Sequence, residues 1–503
     1  MSDFEKIFKA YDIRGRTDVG ELDAEGARNI GAAFARFASA GRIAVGRDCR
    51  ESSPAIAGAF IEGITGQGVE VLDLGEVATD TVYYVSGREN VPGAMITASH
   101  NPPNYNGIKL CREGAAPVGH DTGLQDIRTM AEQGVPASDA QGSVAAFDGT
   151  SGYIEHLFSI VNGSAIGALR VAVDGGNGMA GVVLFEVFDR IDADLIPLYL
   201  EPDGTFPNHP ADPLNPENLV DLIALMGEEE ADLGVAFDGD ADRAFFIDDQ
   251  RNPLSGSTTT ALIAKWFLAR EPGATVVHNL ITSRAVPEIV TAAGGTPVRT
   301  RVGHSYIKQV MAETGAIFGG EHSGHYYFRD NYRADSGMLA MLVLLQVVSE
   351  SGQPLSQLRA EVEPYAASGE INLTVDDQAG SLAAVESHFT DAEIDKTDGL
   401  TVSWADRWFN LRSSNTEPVL RLNVEGPDSA GVRQLVTDVR EAVSGTVSLI
   451  APELKAILVC PKCHGDLRED LENSKLECTQ CGLRYPVTDG IPVMLIDEAE
   501  QPQ

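Results

Sequence analysis

Leu169-Arg170-Val171-Ala172-Val173-Asp174-Gly175-Gly176-Asn177-Gly178 is a short apolar run that breaks into a polar, glycine-rich loop. Two further stretches have the same form. Arg42-Ile43-Ala44-Val45 leads into Gly46-Arg47-Asp48, and Ala274-Thr275-Val276-Val277 leads into His278-Asn279-Leu280. Helix-like stretches such as 24–38 and 258–270 lie between them. Strands alternating with helices imply α/β architecture, with parallel sheets covered by helices on both faces. In such sheets ligands collect at the carboxyl ends of the strands, where these loops fall.

At roughly 100–200 residues per domain, a chain of 503 residues should hold several domains. Breaks in composition at 134–152, 249–257, 364–369 and 451–452 divide it into expected segments 1–135, 150–250, 251–365, 366–450 and 453–498, with a polar, disordered tail at 499–503. Hydrophobic residues make up 43% and charged residues 22%, enough for each domain to build a core. Acidic residues outnumber basic ones by 74 to 37, for a formal charge of −37. That balance argues against nucleic acid or an anionic membrane as the main partner, since both need a basic surface. It leaves an anionic small molecule open, because a cleft can be locally basic.

The first residues mix charges and carry no targeting signal. The apolar run from Met338 to Val348 is far short of the ~20 residues a membrane span needs, so it is expected to be a buried helix. Of six cysteines, four sit together near the C-terminus. That is no disulfide framework, and the cytoplasm is the expected compartment.

Four loops carry candidate chemistry. Thr97-Ala98-Ser99-His100-Asn101-Pro102 follows an apolar run and precedes Asn106-Gly107-Ile108-Lys109. A serine hydroxyl can carry a phosphoryl group, and His100 or Lys109 could move protons or neutralise phosphate. A capped turn explains the same residues equally well. Asp238-Gly239-Asp240-Ala241-Asp242-Arg243 can point three carboxylates at one hard cation such as Mg²⁺. An EF-hand would need Gly and Glu where this loop has Arg243 and Asp249. Gly319-Gly320-Glu321-His322-Ser323-Gly324-His325 offers groups that suit sugar hydroxyls, and Arg412-Ser413-Ser414-Asn415-Thr416 could cradle a phosphate. Alone, each of these last two also reads as an ordinary polar turn.

In this order, and with Ala10-Tyr11-Asp12-Ile13-Arg14-Gly15 near the start, the loops resemble the α-D-phosphohexomutase family over about residues 4–447. The resemblance implies three similar α/β domains with mixed or parallel sheets and an α+β fourth domain. It implies that Ser99 carries the phosphoryl group and completes an Mg²⁺ site with Asp238, Asp240 and Asp242. Sugar recognition falls to Glu321, Ser323 and His325, and a distal phosphate clamp to Arg412, Ser414, Asn415 and Thr416. Tyr11, Arg14, Arg47, His100, Lys109, Arg243 and His304 would line the cleft. Some bacterial members carry Lys before Gly303-His304, where this chain has Arg301 as a further phosphate contact.

The implied reaction converts hexose phosphates through a 1,6-bisphosphate, which is both intermediate and activator. Either His100 or Lys109 would take the hydroxyl proton. The Glu-His-Ser-Gly-His loop resembles members acting on mannose phosphates, and dual mannose/glucose members, more than phosphoglucosamine mutases. A hydrolase built on the same metal loop, or a scaffold acting through the C-terminus, are the rival classes.

Cys460-Pro461-Lys462-Cys463 and Cys478-Thr479-Gln480-Cys481 are two CxxC pairs with 14 residues between them. That is a zinc-ribbon pattern, one residue under the usual ~15–20. Four thiolates close a tetrahedral Zn²⁺ site with no open position, so a structural or docking role is expected. With 485–495 the cysteines resemble the Trm112-like family, whose members often act as protein partners of methyltransferases.

Overall fold

The computed structural model describes residues 3–375, 377–413, 419–443, 447–450, 452–455, 457–470, 473–488 and 491–501. It divides into two units, Met1–Glu363 and Pro364–Gln503.

The first unit repeats one sheet plan three times. In the N-terminal sheet the strands are β1 (Ile13–Arg16), β2 (Arg42–Arg47), β3 (Glu70–Glu76), β4 (Gly93–Ile96), β5 (Tyr105–Cys111) and β6 (Val144–Ala146). Their order is β1-β5-β4-β2-β3-β6. The second sheet holds β7 (Arg170–Asp174), β8 (Asp194–Leu198), β9 (Leu233–Phe237) and β10 (Ala244–Ile247), in the order β10-β9-β7-β8. The third holds β11 (Thr275–Asn279), β12 (Thr296–Thr300), β13 (Phe318–Gly320) and β14 (Tyr326–Phe328), in the order β12-β11-β13-β14.

In every case a central strand (β2, β7 or β11) pairs in parallel with the next two strands. A further strand (β5, β10 or β14) then returns antiparallel to the last of these. The serine loop is the β4–β5 turn, the three-aspartate loop is the β9–β10 turn and the Glu-His-Ser-Gly-His loop is the β13–β14 turn. All three therefore occupy the same place in their sheets.

Period-2 alternation explains the packing. On β2, Ile43 and Val45 face a local core made with the helices Ala24–Ala38 and Ser53–Thr65. Ala44 faces the other way, into a core that runs from β2 to Val362. Val171 and Val173 of β7, Leu233, Val235 and Phe237 of β9, and Val276 of β11 enter that same core. The three sheets thus share one core, where separate cores were expected. The apolar run 338–348 lies within the helix Gly337–Ser351, which is buried in this core as expected. Among the described residues no single helix is long and apolar enough to cross a membrane. The stretch 134–152, which reads as a linker, contains β6, held parallel to β3.

In the second unit, β15 (Ala366–Val375), β16 (Glu393–Asp395), β17 (Leu400–Ser403), β18 (Trp408–Ser413), β19 (Val419–Gly426) and β20 (Val447–Ser448) form an antiparallel sheet. The helices Gln378–His388 and Ser429–Ala442 pack on its apolar face. This is the expected α+β arrangement. A small sheet follows, with strands β21 (Leu467–Asp470), β22 (Lys475–Cys478), β23 (Arg484–Thr488) and β24 (Ile491–Pro492). The tail differs from the expected disorder at residues 499–501. Ala499 is buried in the small core, and the backbone of Glu500 exchanges hydrogen bonds with Arg484 (3.1 and 2.9 Å). Pairing with the start of β23 gives this polar segment backbone partners that its composition does not reveal.

Candidate functional site

The β4–β5 turn places Ser99 in the left-handed backbone region, with φ +52°. Such a conformation costs of order 1–3 kcal/mol for a non-glycine residue and persists only when its surroundings enforce it. Here Thr97 Oγ1 accepts from Ser99 N at 2.9 Å. Arg14 donates to Ala98 O at 3.2 Å and to Asn101 Oδ1 at 2.6 Å. The turn buries the serine to 3% exposure. Ser99 Oγ donates to Asp238 Oδ2 at 2.7 Å, and Arg243 Nη2 donates to Ser99 Oγ at 3.1 Å. His100 Nδ1 is 3.3 Å from Oγ and accepts from Arg243.

The β9–β10 turn brings Asp238, Asp240 and Asp242 together with ligand atoms within 4.8 Å of one another, all buried. Lys109, from β5, reaches Asp240 Oδ2 at 2.6 Å and Asp242 Oδ2 at 2.5 Å. Thr79 Oγ1 donates to Asp240 at 2.6 Å, and Arg243 Nε to Asp238 at 2.9 Å. Two carboxylate oxygens, Asp240 Oδ1 and Asp242 Oδ1, are buried with no hydrogen-bond partner among the described residues. Three clustered carboxylates with orphaned oxygens are a donor set that fits a hard divalent cation.

Electrostatics follow from this crowding. Burial pushes the Asp238 carboxyl up to about 7 against the pull of Arg243. Burial works in the same direction on Asp240, but the charge and hydrogen bond of Lys109 outweigh it and hold that carboxyl well below its ordinary range. Burial favours neutral Lys109, and Asp240 and Asp242 overcome it, so the ammonium form is strengthened. Burial, then the charges of Arg243 and Arg14, lower His100 and keep it neutral.

A backbone bridge between Arg243 and His325 joins the third turn to the second. Glu321 is buried, and both of its carboxylate oxygens accept hydrogen bonds. Its Oε1 accepts from Gly303 N (3.0 Å) and Asn279 Nδ2 (3.3 Å), and its Oε2 accepts from Tyr327 (2.8 Å). Ser323 Oγ is 3.1 Å from His325 Nδ1, and His325 Nε2 is 3.6 Å from Asp242. Tyr11 donates to Val302 O at 3.0 Å and meets the His304 ring edge-on at 5.4 Å. Burial and Lys308 push His304 down to about 3.

The structure thus gathers Ser99, His100, Lys109, Arg14, Arg243 and the three aspartates, and bridges them to the Glu321–His325 turn. Two expected residues of the first unit, Arg47 and Arg301, are placed less centrally. Arg47 closes β2, its carbonyl accepting from Val77 N at 3.0 Å. Arg301 is exposed, with its guanidinium 4.8 Å from the Tyr306 ring. Arg412, on β18, pairs with Glu370 at 3.1 Å. Ser414, Asn415 and Thr416 lie outside the described residues. Arg50, Thr79, Lys308 and Asp335 were not expected at the site. Buried Lys308 pairs with Asp335 at 2.6 Å, and Asp335 faces His325 at 3.9 Å. No sequence motif marks Lys308 and Asp335, which sit on a helix and in a loop 27 residues apart.

In the small C-terminal sheet the two CxxC segments form matched knuckles. His464 N bonds Cys460 O and Cys460 N bonds Gly465 O; Gly482 N bonds Cys478 O and Cys478 N bonds Leu483 O. His464 (φ +58°) and Gly482 (φ +70°) take the left-handed positions. The four sulfurs cluster, at 3.6 Å for Cys460–Cys481 and 3.4 Å for Cys463–Cys478. A tetrahedral thiolate site with bonds of about 2.3 Å has edges of about 3.8 Å, so the donor set fits zinc.

Family models match along the chain. Residues 5–136, 151–251 and 255–365 match the phosphoglucomutase/phosphomannomutase alpha/beta/alpha domains I, II and III, residues 370–442 match the C-terminal domain, and residues 452–490 match Trm112p-like protein. A phosphomannomutase of Salmonella montevideo is 43% identical over 430 residues, covering 83% of this chain and 94% of the relative. A protein of Xanthomonas campestris pv. campestris named "Phosphohexose mutases" is 41% identical, covering 86% and 97%. A phosphoglucomutase/phosphomannomutase family protein of Burkholderia thailandensis superposes with a TM-score of 0.82 at 32% identity, over 89% of this chain and 99% of that one.

Proposed function

The chain belongs to the phosphoglucomutase/phosphomannomutase family and is a phosphohexose mutase, and from that premise we propose that it moves a phosphoryl group between C6 and C1 of mannose phosphate through Ser99. The observation that carries the role of Ser99 is its hydrogen bond to Asp238, at 2.7 Å, inside the three-carboxylate cluster and beside Arg243.

Ser99 Oγ carries the phosphoryl group. The free hydroxyl of a hexose monophosphate attacks phosphorus, the bond from phosphorus to Oγ breaks, and the hydroxyl proton leaves. The resulting 1,6-bisphosphate turns end for end. Ser99 Oγ takes its other phosphoryl group, and the isomeric monophosphate departs. Mg²⁺ held by Asp238, Asp240 and Asp242 would offset charge on the transferring group.

In an in-line transfer the sugar hydroxyl approaches phosphorus from the side opposite Oγ. His100 Nδ1 and Arg243 Nη2 stand beside Oγ itself. Their place is to stabilise the charge that develops on the serine oxygen as it leaves, and the sugar's proton goes to a group on the opposite side. Binding of the unreacting phosphate stays assigned, on the sequence alone, to Arg412, Ser414, Asn415 and Thr416. Sugar recognition is assigned to Glu321, Ser323 and His325.

Relatives named phosphomannomutase and the Glu-His-Ser-Gly-His turn support mannose, and hence a supply of mannose 1-phosphate for GDP-mannose. Glucose phosphates are the second substrate pair, since glucose differs from mannose at C2 alone. The ribbon, with its four cysteines on Zn²⁺, is assigned to docking a protein partner.

The test is conversion of mannose 1-phosphate with catalytic glucose 1,6-bisphosphate, repeated with glucose 1-phosphate. Fast formation of the 6-phosphate is expected, without inorganic phosphate, and Ser99→Ala should abolish it. Release of inorganic phosphate as the main product would point to a hydrolase. Substantial turnover by the alanine variant would sink the covalent role.

A further inference from the structure

We propose that Arg50 is the positioning residue of the serine turn, its buried guanidinium holding Ser99 in the left-handed conformation that aims Oγ at Asp238. The proposal rests on the reading of Ser99 as the phosphoryl carrier.

The Arg50 side chain is 0% exposed. It donates through Nε to Asp48 Oδ2 (3.1 Å). Nη1 reaches Pro102 O (2.7 Å) and Tyr105 O (3.1 Å), and Nη2 reaches Ser99 O and Asn101 O (2.7 Å each). A guanidinium has five N–H donors, and all five are used. Four of the acceptors are backbone carbonyls of a single seven-residue stretch, 99–105, so the fork grips the shape of the turn and not its side chains.

An unpaired buried cation is costly, and the surroundings meet that cost. Asp48 supplies the countercharge and accepts from Arg50 N at 3.1 Å as well. Phe206 covers the guanidinium face at 4.9 Å. Gly204 lets that segment close in, since a Cβ there would lie 2.4 Å from Arg50 Cα.

Two consequences follow for Ser99. Its positive φ needs external constraint, and Arg50 binds the carbonyl of Ser99 itself and that of Asn101 two residues on. The negative ends of these carbonyl dipoles are also turned into a cation, away from the place where a phosphoryl group would carry its charge. Fixed dipoles and charges of this kind need no reorganisation during transfer. Lysine cannot substitute, because a point charge with three donors cannot match this planar fork of carbonyls.

The experiment compares Arg50→Lys and Phe206→Leu with the parent in full-length protein. It measures kcat and KM for mannose 1-phosphate with catalytic glucose 1,6-bisphosphate, thermal unfolding, and site-mapped phosphorylation of Ser99 by mass spectrometry. The parent should carry phosphate on Ser99. Arg50→Lys should lose about 100-fold in kcat, the scale of a misplacement near 1 Å, with KM held within about threefold. A folded Arg50→Lys whose kcat stays within about threefold of the parent, or falls only in proportion to lost folded protein, overturns the proposal. Should Arg50→Lys fail to fold, Phe206→Leu decides, since it keeps all five hydrogen-bond partners. A fall of about fivefold in kcat at parental KM supports the proposal, and parental kcat overturns it. A parent that turns over substrate with no phosphate on Ser99 sinks the carrier reading itself, and the positioning role with it.

Discussion

Gly239 presses against Ser99: a Cβ on Gly239 would lie 2.4 Å from the Ser99 carbonyl oxygen. The aspartate turn can approach the serine turn only because the residue between Asp238 and Asp240 has no side chain. The clash is with backbone, which cannot swing aside. Gly239→Ala should therefore destabilise the protein by about 1–3 kcal/mol, the usual cost of overpacking. It should also cut the mutase rate more than any loss of folded protein explains. Denaturant unfolding and steady-state kinetics on the same preparation check both, and wild-type values in each would show that the two turns are not in forced contact.

Lys109 lies between two carboxylates that are also the candidate cation ligands, at 2.6 Å from Asp240 and 2.5 Å from Asp242. Removing it leaves buried negative charge uncompensated, which typically costs about 3–5 kcal/mol. A divalent cation bound to those carboxylates would restore part of the compensation. Lys109→Ala should thus melt well below the parent without Mg²⁺ and gain more in Tm than the parent when Mg²⁺ is added. Equal Mg²⁺-dependent shifts in the two proteins would contradict this.

Lys308 and Asp335 form a second buried pair at 2.6 Å, with the Lys308 ammonium 4.0 Å from the Tyr83 ring centre. Lys308→Met should cost about 3–5 kcal/mol by stranding Asp335. Lys308→Met combined with Asp335→Asn should cost less than the sum of the two single changes, because the stranded charge is gone. A double-mutant cycle by urea unfolding measures that coupling, and additive costs would refute it.

His278, buried near the end of β11, is pushed down to about 4, first by burial and then by the charge of Arg299, against its hydrogen bond to Asn279 O. Its ordinary value is 6.5. The unfolded chain therefore binds a proton near pH 6.5 that the folded protein refuses until about pH 4. Its contribution is present above pH 6.5 and is lost as pH falls through that window, by up to about 3 kcal/mol. His278→Gln should flatten the pH dependence of unfolding free energy between pH 6.5 and 4. An unchanged slope would mean that His278 does not supply it.

The ribbon sulfurs predict one zinc per chain by elemental analysis. Cys478→Ser should lower that content to near zero and speed amide exchange through β21–β23, since a metal site of this size supplies much of its own folding energy. The exchange pattern of residues 1–363 should not change.

Much of the candidate site was legible in the chain. Ser99, the three aspartates and the Glu321–His325 turn are local motifs; each alone left an ordinary turn open, and their order along the chain, with the resemblance it carries, singled them out. The alternating runs gave the α/β plan, because burial on both faces writes itself into strands such as Arg42–Arg47. The two CxxC pairs likewise predicted the four-sulfur cluster. Arg50 was not legible, although it lies three residues beyond Arg47, because its partners are backbone carbonyls more than 48 residues away. Nor was the Lys308–Asp335 pair, nor the burial of Ala499.

Sequence alone thus determined which groups could do chemistry, since donor type and local spacing are properties of neighbours in the chain. The tertiary structure decided which of them meet. Three sheets of one plan set their β4–β5, β9–β10 and β13–β14 turns in equivalent positions over a shared core. Only that packing puts Ser99 Oγ 2.7 Å from Asp238, residues 139 positions apart. Contacts across such separations depend on how whole sheets bury their apolar faces together, and no local run of residues encodes that distance.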